Sequence, residues 1–352
     1  LPLMVFLQGG PGGESPRPCS ADDPAWLSEA VKRYRVILPD QRGCGRSSRV
    51  SGRGAAALVE RAEAAGADPA RAQADLLKRL LAPSIVRDLE YLRLTRFEGR
   101  RWTTLGQSYG GFLTLAYLSL FPEGVCASLV CGGIPHVPGD AAEVYERYPQ
   151  DVERVAALAD LLGERPVPLP DGSPLTVERL QLLGSDFGMK PSFERMHWLM
   201  DHAFEALDGG LGARSGGHAP ALSEGFLMDV LARTTTRANP LYWTLQELIY
   251  ADGDCAPIRW AAASQKARMP EFDASARPLL FTGEACFPWM FEQCPELAPF
   301  ARAMDLLMED TRFDRVYDPV RLAANEVPLT AAVYFDDMYV DSGLQLDTLS
   351  RV

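Results

Sequence analysis

Ser108 stands in Gly106-Gln107-Ser108-Tyr109-Gly110, a hydroxyl with a glycine two residues to either side. That spacing serves nucleophilic attack. A strand turning sharply into a helix lifts the hydroxyl above the sheet, and the turn leaves almost no room for side chains at its flanks. The run before it, "RWTTLGQ", is strand-like, and "YGGFLTLAYLSLFPE" around and after it reads as a helix. The N-terminus of that helix favours negative charge developing at the serine. The plainer alternative is a glycine-rich turn whose serine caps the helix.

A second glycine cluster, "LQGGPGG" at 7–13, ends the first apolar run. Acyl transfer needs backbone N–H groups aimed at a carbonyl oxygen as it becomes negative, and glycines let amides come close. Gly10 is the candidate donor there, with the amide of Tyr109 as the second. No Gly-Lys-Ser/Thr or GxGxxG pattern follows, which sets a phosphate-binding loop aside.

The elements that must position these groups are short apolar runs alternating with helical patterns. "PLMVFLQ", "RYRVILPD", "RWTTLGQ" and "ASLVCGG" read as buried strands; "DPAWLSEAVKRY", with Asp23 as a candidate N-cap, and "PSIVRDLEYLRLTRF" read as helices. Such alternation predicts a mostly parallel sheet with helices on both faces, its active residues in the loops beyond the carboxyl ends of the strands. The Ala- and Glu-rich stretch at 54–82 reads as an inserted helical excursion. The alternation then fades, and only 277–284 and 327–337 read as later strands. The expected organisation is a core over 1–136, a large, mainly helical cap over 137–325, and a return to the core over 326–352.

The bulk numbers narrow the class. A chain of 352 residues, 47% hydrophobic and 23% charged, suits a globular enzyme. A formal net charge of −12 argues against nucleic acid as a partner and is compatible with a small cation. Seven cysteines, at 19, 44, 126, 131, 255, 286 and 294, form no CxxC pair, so the expectation is reduced thiols in a cytoplasmic setting. No apolar run is long enough for a membrane span.

"QGGPGG", "PDQRGCGRSS" and "GQSYGGFLTLAYLSLFP", in that order, resemble the proline iminopeptidase (prolyl aminopeptidase) family of α/β-hydrolases. The resemblance is strongest over 1–135 and returns at "AAVYFDDMYV"; one departure is Gln8, where the family's loop more often begins His-Gly-Gly-Pro-Gly. It implies the α/β-hydrolase fold with a helical cap. It also implies a serine mechanism that removes an N-terminal residue, usually proline, from small peptides with a free N-terminus, with no metal or organic cofactor.

In this fold the triad runs serine, carboxylate, histidine along the chain. Asp337 sits just past a late strand and, by the Met that follows it, matches the family's acid; Asp336 is its neighbour and Glu284, after "PLLFTG", a second positional candidate. A histidine should follow. The four histidines, 136, 197, 202 and 218, all precede Asp337, so the base is expected beyond Val352 and both ends of the chain read as cut. His136 follows a strand but has the wrong place in the order, and His197 and His202, five apart, share no helix face suited to a zinc pair. His218 falls in a glycine-rich loop.

An aminopeptidase must hold a protonated amine. Glu247 lies on what reads as an apolar helix beside Leu245, Leu248 and Ile249, and by resemblance it matches a cap glutamate that binds that amine. Glu284 and Glu292 stand beside Phe287, Trp289 and Phe291, which are suited to walling a proline-sized pocket. The alternatives are a solvated helix face and plain cap core. The rival functions are an esterase or amidase on the same fold, indifferent to Glu247→Gln, and an inactive protein that binds proline-like amines without turnover.

Overall fold

The computed structural model describes residues 1–20, 23–134, 150–189, 191–205, 221–335 and 337–352. It divides into two compact units. The first comprises Leu1–Gly139, Thr236–Arg259 and Pro299–Val352; the second comprises Asp140–Thr235 and Trp260–Ala298.

The first unit opens with β1 (Leu3–Leu7), an apolar run buried at every position, then α1 (Ala25–Ala30) and β2 (Arg35–Ile37). The N-cap position of α1 is Pro24, with no side-chain capping bond, so Asp23 does not take the capping role its type suggested. Three helices follow: α2 (Gly52–Ala64), α3 (Pro69–Lys78) and α4 (Ala82–Arg96). Ser51 caps α2 through the Gly54 N–H, and Asp68 caps α3 through the Ala70 N–H with Pro69 preset for the first turn. Then come β3 (Trp102–Gln107), α5 (Tyr109–Leu120) and β4 (Val125–Cys131).

The second unit begins with α6 (Gln150–Glu164), a hairpin of β5 (Val167–Pro168) and β6 (Pro174–Leu175), α7 (Val177–Gln181), α8 (Ser192–Asp201) and α9 (Glu224–Thr234). The chain passes through α10 (Leu241–Leu245) in the first unit, then α11 (Ala261–Lys266) and α12 (Pro288–Gln293) in the second. It ends in the first with α13 (Ala301–Met308), α14 (Pro319–Ala323), β7 (Leu329–Ala332) and α15 (Ser342–Leu349).

The sheet of the first unit has the order β2-β1-β3-β4-β7, and every neighbouring pair is parallel. Every strand therefore points its carboxyl end to one edge, where the glycine loops lie. α5 has no polar face, and Tyr109 through Ser119 are all buried, as an all-apolar helix at the centre of a core requires. Behind it Glu90 and Arg93 form a buried pair, Nε to Oε2 at 2.9 Å and Nη2 to Oε1 at 2.6 Å, and the Tyr117 hydroxyl donates to Glu90 at 2.8 Å. The Arg93 guanidinium, opposed by burial, holds the Glu90 carboxyl below its ordinary range.

The second unit has its own core, with Leu158, Leu180, Leu199, Phe226 and Val230 among its buried members. Arg179 lies inside that unit, donating to Thr234 at 2.9 Å and Ser173 at 2.8 Å.

Two expectations change in the structure. Residues 277–284 form no strand. Gln181 takes their backbone instead, its Nε2 donating to the Leu280 carbonyl at 2.9 Å and its own carbonyl accepting the Thr282 N–H at 3.0 Å. Residues 236–259 and 299–325, which the sequence pattern groups with the cap, cluster with the first unit. α13 buries Ala303, Met304, Leu307 and Met308, and Lys78 at the end of α3 ties down the loop behind it through Asp310 and the Arg312 carbonyl, both at 2.6 Å. Among the described residues, no helix is long and apolar enough to cross a membrane.

Candidate active site

Ser108 connects β3 to α5 with φ 53° and ψ −124°, a conformation that L residues rarely adopt. Such a position costs on the order of 1–3 kcal/mol and persists only where the surroundings enforce it. They do so here by close approach. A Cβ at Gly110 would sit 1.9 Å from the Leu7 carbonyl oxygen, and one at Gly111 2.0 Å from that of Gly133. The helix can therefore rest directly on the ends of β1 and β4 only with glycine at both places. The Ser108 N–H donates to the Cys131 carbonyl at 3.1 Å, which fixes the elbow to β4. Ser108 occupies the N-cap position of α5, yet its side chain makes no capping bond. Its hydroxyl is half-buried and not committed to the helix, so the plain capping alternative fails. In the first turn of α5 the Gly111 N–H donates to the Ser108 carbonyl at 2.8 Å, while the Tyr109 N–H, at the first helical position, is one of those an α-helix leaves without an i−4 carbonyl.

The loop after β1 comes against this elbow. A Cβ at Gly9 would lie 2.9 Å from Ser108 Cβ and 3.4 Å from its Oγ. Gly10 has φ +117° and Gly12 φ +76°, values open to glycine and unfavourable for other residues. The Gly9 carbonyl accepts the Gly13 N–H at 3.3 Å, closing the loop on itself.

The carboxyl ends of β3, β4 and β7 lie in adjacent rows: Gln107 pairs with Cys131, and Cys131 pairs with Ala332. Asp337 follows five residues after Ala332, on the same edge as Ser108. It is not a loose surface carboxylate. Its Oδ1 accepts the Tyr339 and Val340 N–H groups, both at 3.0 Å, and its Oδ2 lies 3.4 Å from Gln345 Nε2. Gln345 is 0% exposed and ties this loop to the end of β4, its Oε1 accepting the Ile134 N–H at 3.2 Å. Sequence reasoning missed Gln345; a lone glutamine in a short helix carries no signal. Asp336 lies outside the described residues. Glu284, the second candidate for the acid, belongs to the second unit and follows no strand.

Glu247 clusters with the first unit, not with the cap. It sits in a turn between α10 and a short 3₁₀ segment (Leu248–Tyr250), so the apolar helix expected around it is broken there. Both ends of the segment are anchored to site elements. Asn239 Nδ2 donates to the Pro11 carbonyl at 3.1 Å, and the Tyr250 ring packs edge-on against Phe112 of α5 at 5.6 Å. Glu247, 9% exposed, lies between those anchors. Glu284 and Glu292 lie in the second unit, as do Phe287, Trp289 and Phe291; the rings of Phe287 and Trp289 stack there at 6.4 Å.

Among the described residues the first unit contains no histidine. His136 and His218 lie outside the description. His197 and His202 belong to the second unit, where Nδ1 of His197 lies 3.1 Å from the Asp151 carboxylate and Nε2 of His202 lies 3.5 Å from Asp229.

A model of the α/β hydrolase fold matches residues 2–162. A proline iminopeptidase of Aeromonas sobria is 38% identical over 365 residues, covering 99% of this chain and 80% of the relative. The proline iminopeptidase aneH of Aspergillus aculeatus is 32% identical over 375 residues, covering 100% and 78%. Among solved structures, VinJ is 14% identical with a TM-score of 0.29, over 90% of this chain and 82% of that one, a likeness too faint to carry weight.

Proposed function

The chain belongs to the proline iminopeptidases of the α/β-hydrolase fold, a family of hydrolases, and on that footing we propose that it is a serine aminopeptidase releasing an N-terminal residue, preferentially proline, through an acyl-enzyme. The observation that carries this reading is the uncapped, strained Ser108 elbow lying against the Gly9–Gly10 turn. Ser108 Oγ attacks the first peptide carbonyl while a histidine oriented by Asp337 takes its proton. The Gly10 and Tyr109 amides receive the oxyanion. The same histidine returns the proton to the leaving amine, and water then hydrolyses the ester. Glu247 holds the substrate's protonated amine. Serine–acid–histidine order argues against His136 as the base, so His136→Ala should leave turnover unchanged.

The test compares a prolyl arylamide, its N-acetylated form and a simple acyl ester, with Glu247→Gln and Glu284→Gln beside the unaltered protein. Glu247→Gln should lose about a hundredfold on the free-amine substrate, as loss of a buried charge-assisted contact does, and little on the ester. Equal cleavage of the acetylated substrate, or an indifferent Glu247→Gln, would make the protein an esterase or amidase. Binding of prolyl amines without any turnover would make it a binding protein.

A further inference from the structure

The loop at 39–47, carrying the "DQRGCGRS" motif, has no part in the chemistry described above, yet side chain-to-backbone contacts join it to the 8–15 loop at several points. Gln41 Nε2 donates to the Gln8 carbonyl at 2.6 Å across 33 residues of chain. Cys44 Sγ lies 3.3 Å from the Gly13 carbonyl, Ser15 Oγ donates to the Pro39 carbonyl at 2.5 Å, and Asp40 Oδ1 accepts the Ser15 N–H at 3.0 Å. Gln41 is only 7% exposed, so its bond is little diluted by water.

The consequence follows from peptide planarity. In a trans peptide the C=O and the next N–H lie in one rigid plane and point in opposite directions. The bond from Gln41 therefore fixes the plane that joins Gln8 to Gly9. The following plane holds the Gly9 carbonyl, which accepts the Gly13 N–H at 3.3 Å, and the Gly10 N–H, which must point the opposite way. Gly9 and Gly10 have no side chains to restrain their torsions, so hydrogen bonds to the loop's carbonyls, these two on either side of Gly9, set the direction of the Gly10 N–H.

We infer that Gln41 is a positioning residue for acyl transfer, acting through the Gln8 carbonyl to aim the Gly10 N–H at the oxyanion. The inference rests on the proposed serine mechanism. It touches neither ground-state binding of the amine nor the proton transfers, so its loss appears in the transition state and not in recognition of the free amine.

The experiment uses Gln41→Met, which keeps the side chain's length and removes its donor, and Gln41→Glu, which keeps its shape. kcat is expressed per site titrated with a fluorophosphonate, so that unfolded protein does not enter. Affinities are measured for a prolyl boronic acid, a tetrahedral mimic, and for pyrrolidine, which keeps the ring and the charged amine but has no carbonyl oxygen. The expected result is a fall of about 10- to 100-fold in kcat, as for a displaced catalytic contact. Boronate affinity should fall by a similar factor while pyrrolidine affinity stays unchanged. An unchanged kcat per titrated site, with only the melting temperature lowered, would overturn the inference and leave Gln41 a scaffold residue. Equal losses for boronate and pyrrolidine would overturn it too, as general damage to the pocket. If Ser108→Ala stayed active, the serine mechanism itself would have failed, an outcome distinct from either.

Discussion

Gly9→Ala tests the packing of the two glycine loops with a single methyl group. Gly9 is not among the positive-φ glycines, so alanine meets no backbone strain there and the outcome depends on contacts alone. The new Cβ would lie 2.8 Å from the Gln107 carbonyl oxygen and 2.9 Å from Ser108 Cβ. Ordinary contact begins at 3.4 Å, so the loop must yield 3.4 − 2.8, about 0.6 Å, at the first and about 0.5 Å at the second. Overpacking of this kind costs about 1–3 kcal/mol of stability. A displacement of this order at an oxyanion donor should lower kcat about a hundredfold. That is about 2.7 kcal/mol of transition-state stabilisation, while KM moves little. The assay is steady-state hydrolysis of a prolyl arylamide together with a urea titration of the same samples. Gly163→Ala is the control, because nothing lies within 4 Å of a Cβ there; it should leave kcat unchanged and raise stability by about 0.5–1 kcal/mol. A Gly9→Ala protein with full kcat would refute the contact between the loop and the nucleophile.

Three further outcomes are expected. Asp337→Asn keeps an acceptor for the Tyr339 and Val340 N–H groups, so the fold should hold, while kcat falls by about 10⁴ as the base loses its orienting carboxylate; a loss under tenfold would remove Asp337 from the mechanism. Arg93→Ala strands the buried Glu90 carboxylate and should cost about 3–5 kcal/mol in urea unfolding, whereas a paired Glu90→Gln/Arg93→Met variant should recover much of it; near-neutral behaviour of Arg93→Ala would contradict the buried pair. Burial, with Asp40 adding to it, pushes the Cys44 thiol up to about 11, which leaves about one thiolate in 10³ at pH 8; iodoacetamide should therefore modify the exposed Cys19 and Cys126 long before Cys44, and early Cys44 labelling in peptide maps would contradict its burial.

The parts of this fold that sequence reveals are those written in local patterns. Ser108 is legible because the elbow demands glycine at fixed spacings, and β1 because a strand buried on both faces reads as an unbroken apolar run. Asp337 stands out as a candidate by chain order and by resemblance, and the structure adds its hydrogen-bonded setting. What sequence could not show depends on contacts between distant residues. The run at 277–284 is as apolar as a strand, but its backbone partner is Gln181, about a hundred residues earlier. Residues 236–259 read as cap helix because nothing local announces that Asn239 holds Pro11 or that Tyr250 packs on Phe112. Gln41 lay in plain view inside a motif, but its role rests on one bond to a carbonyl 33 residues away.

The central claim is that Ser108 is the nucleophile, and covalent labelling tests it most directly. The protein, purified as its cell makes it, is treated with a fluorophosphonate, digested and mapped by mass spectrometry, with Ser108→Ala alongside. The account predicts one adduct, on the peptide carrying Ser108, formed in step with loss of prolyl arylamide hydrolysis, and neither adduct nor activity in Ser108→Ala. An adduct on a different residue, or hydrolysis that survives in Ser108→Ala, would contradict it.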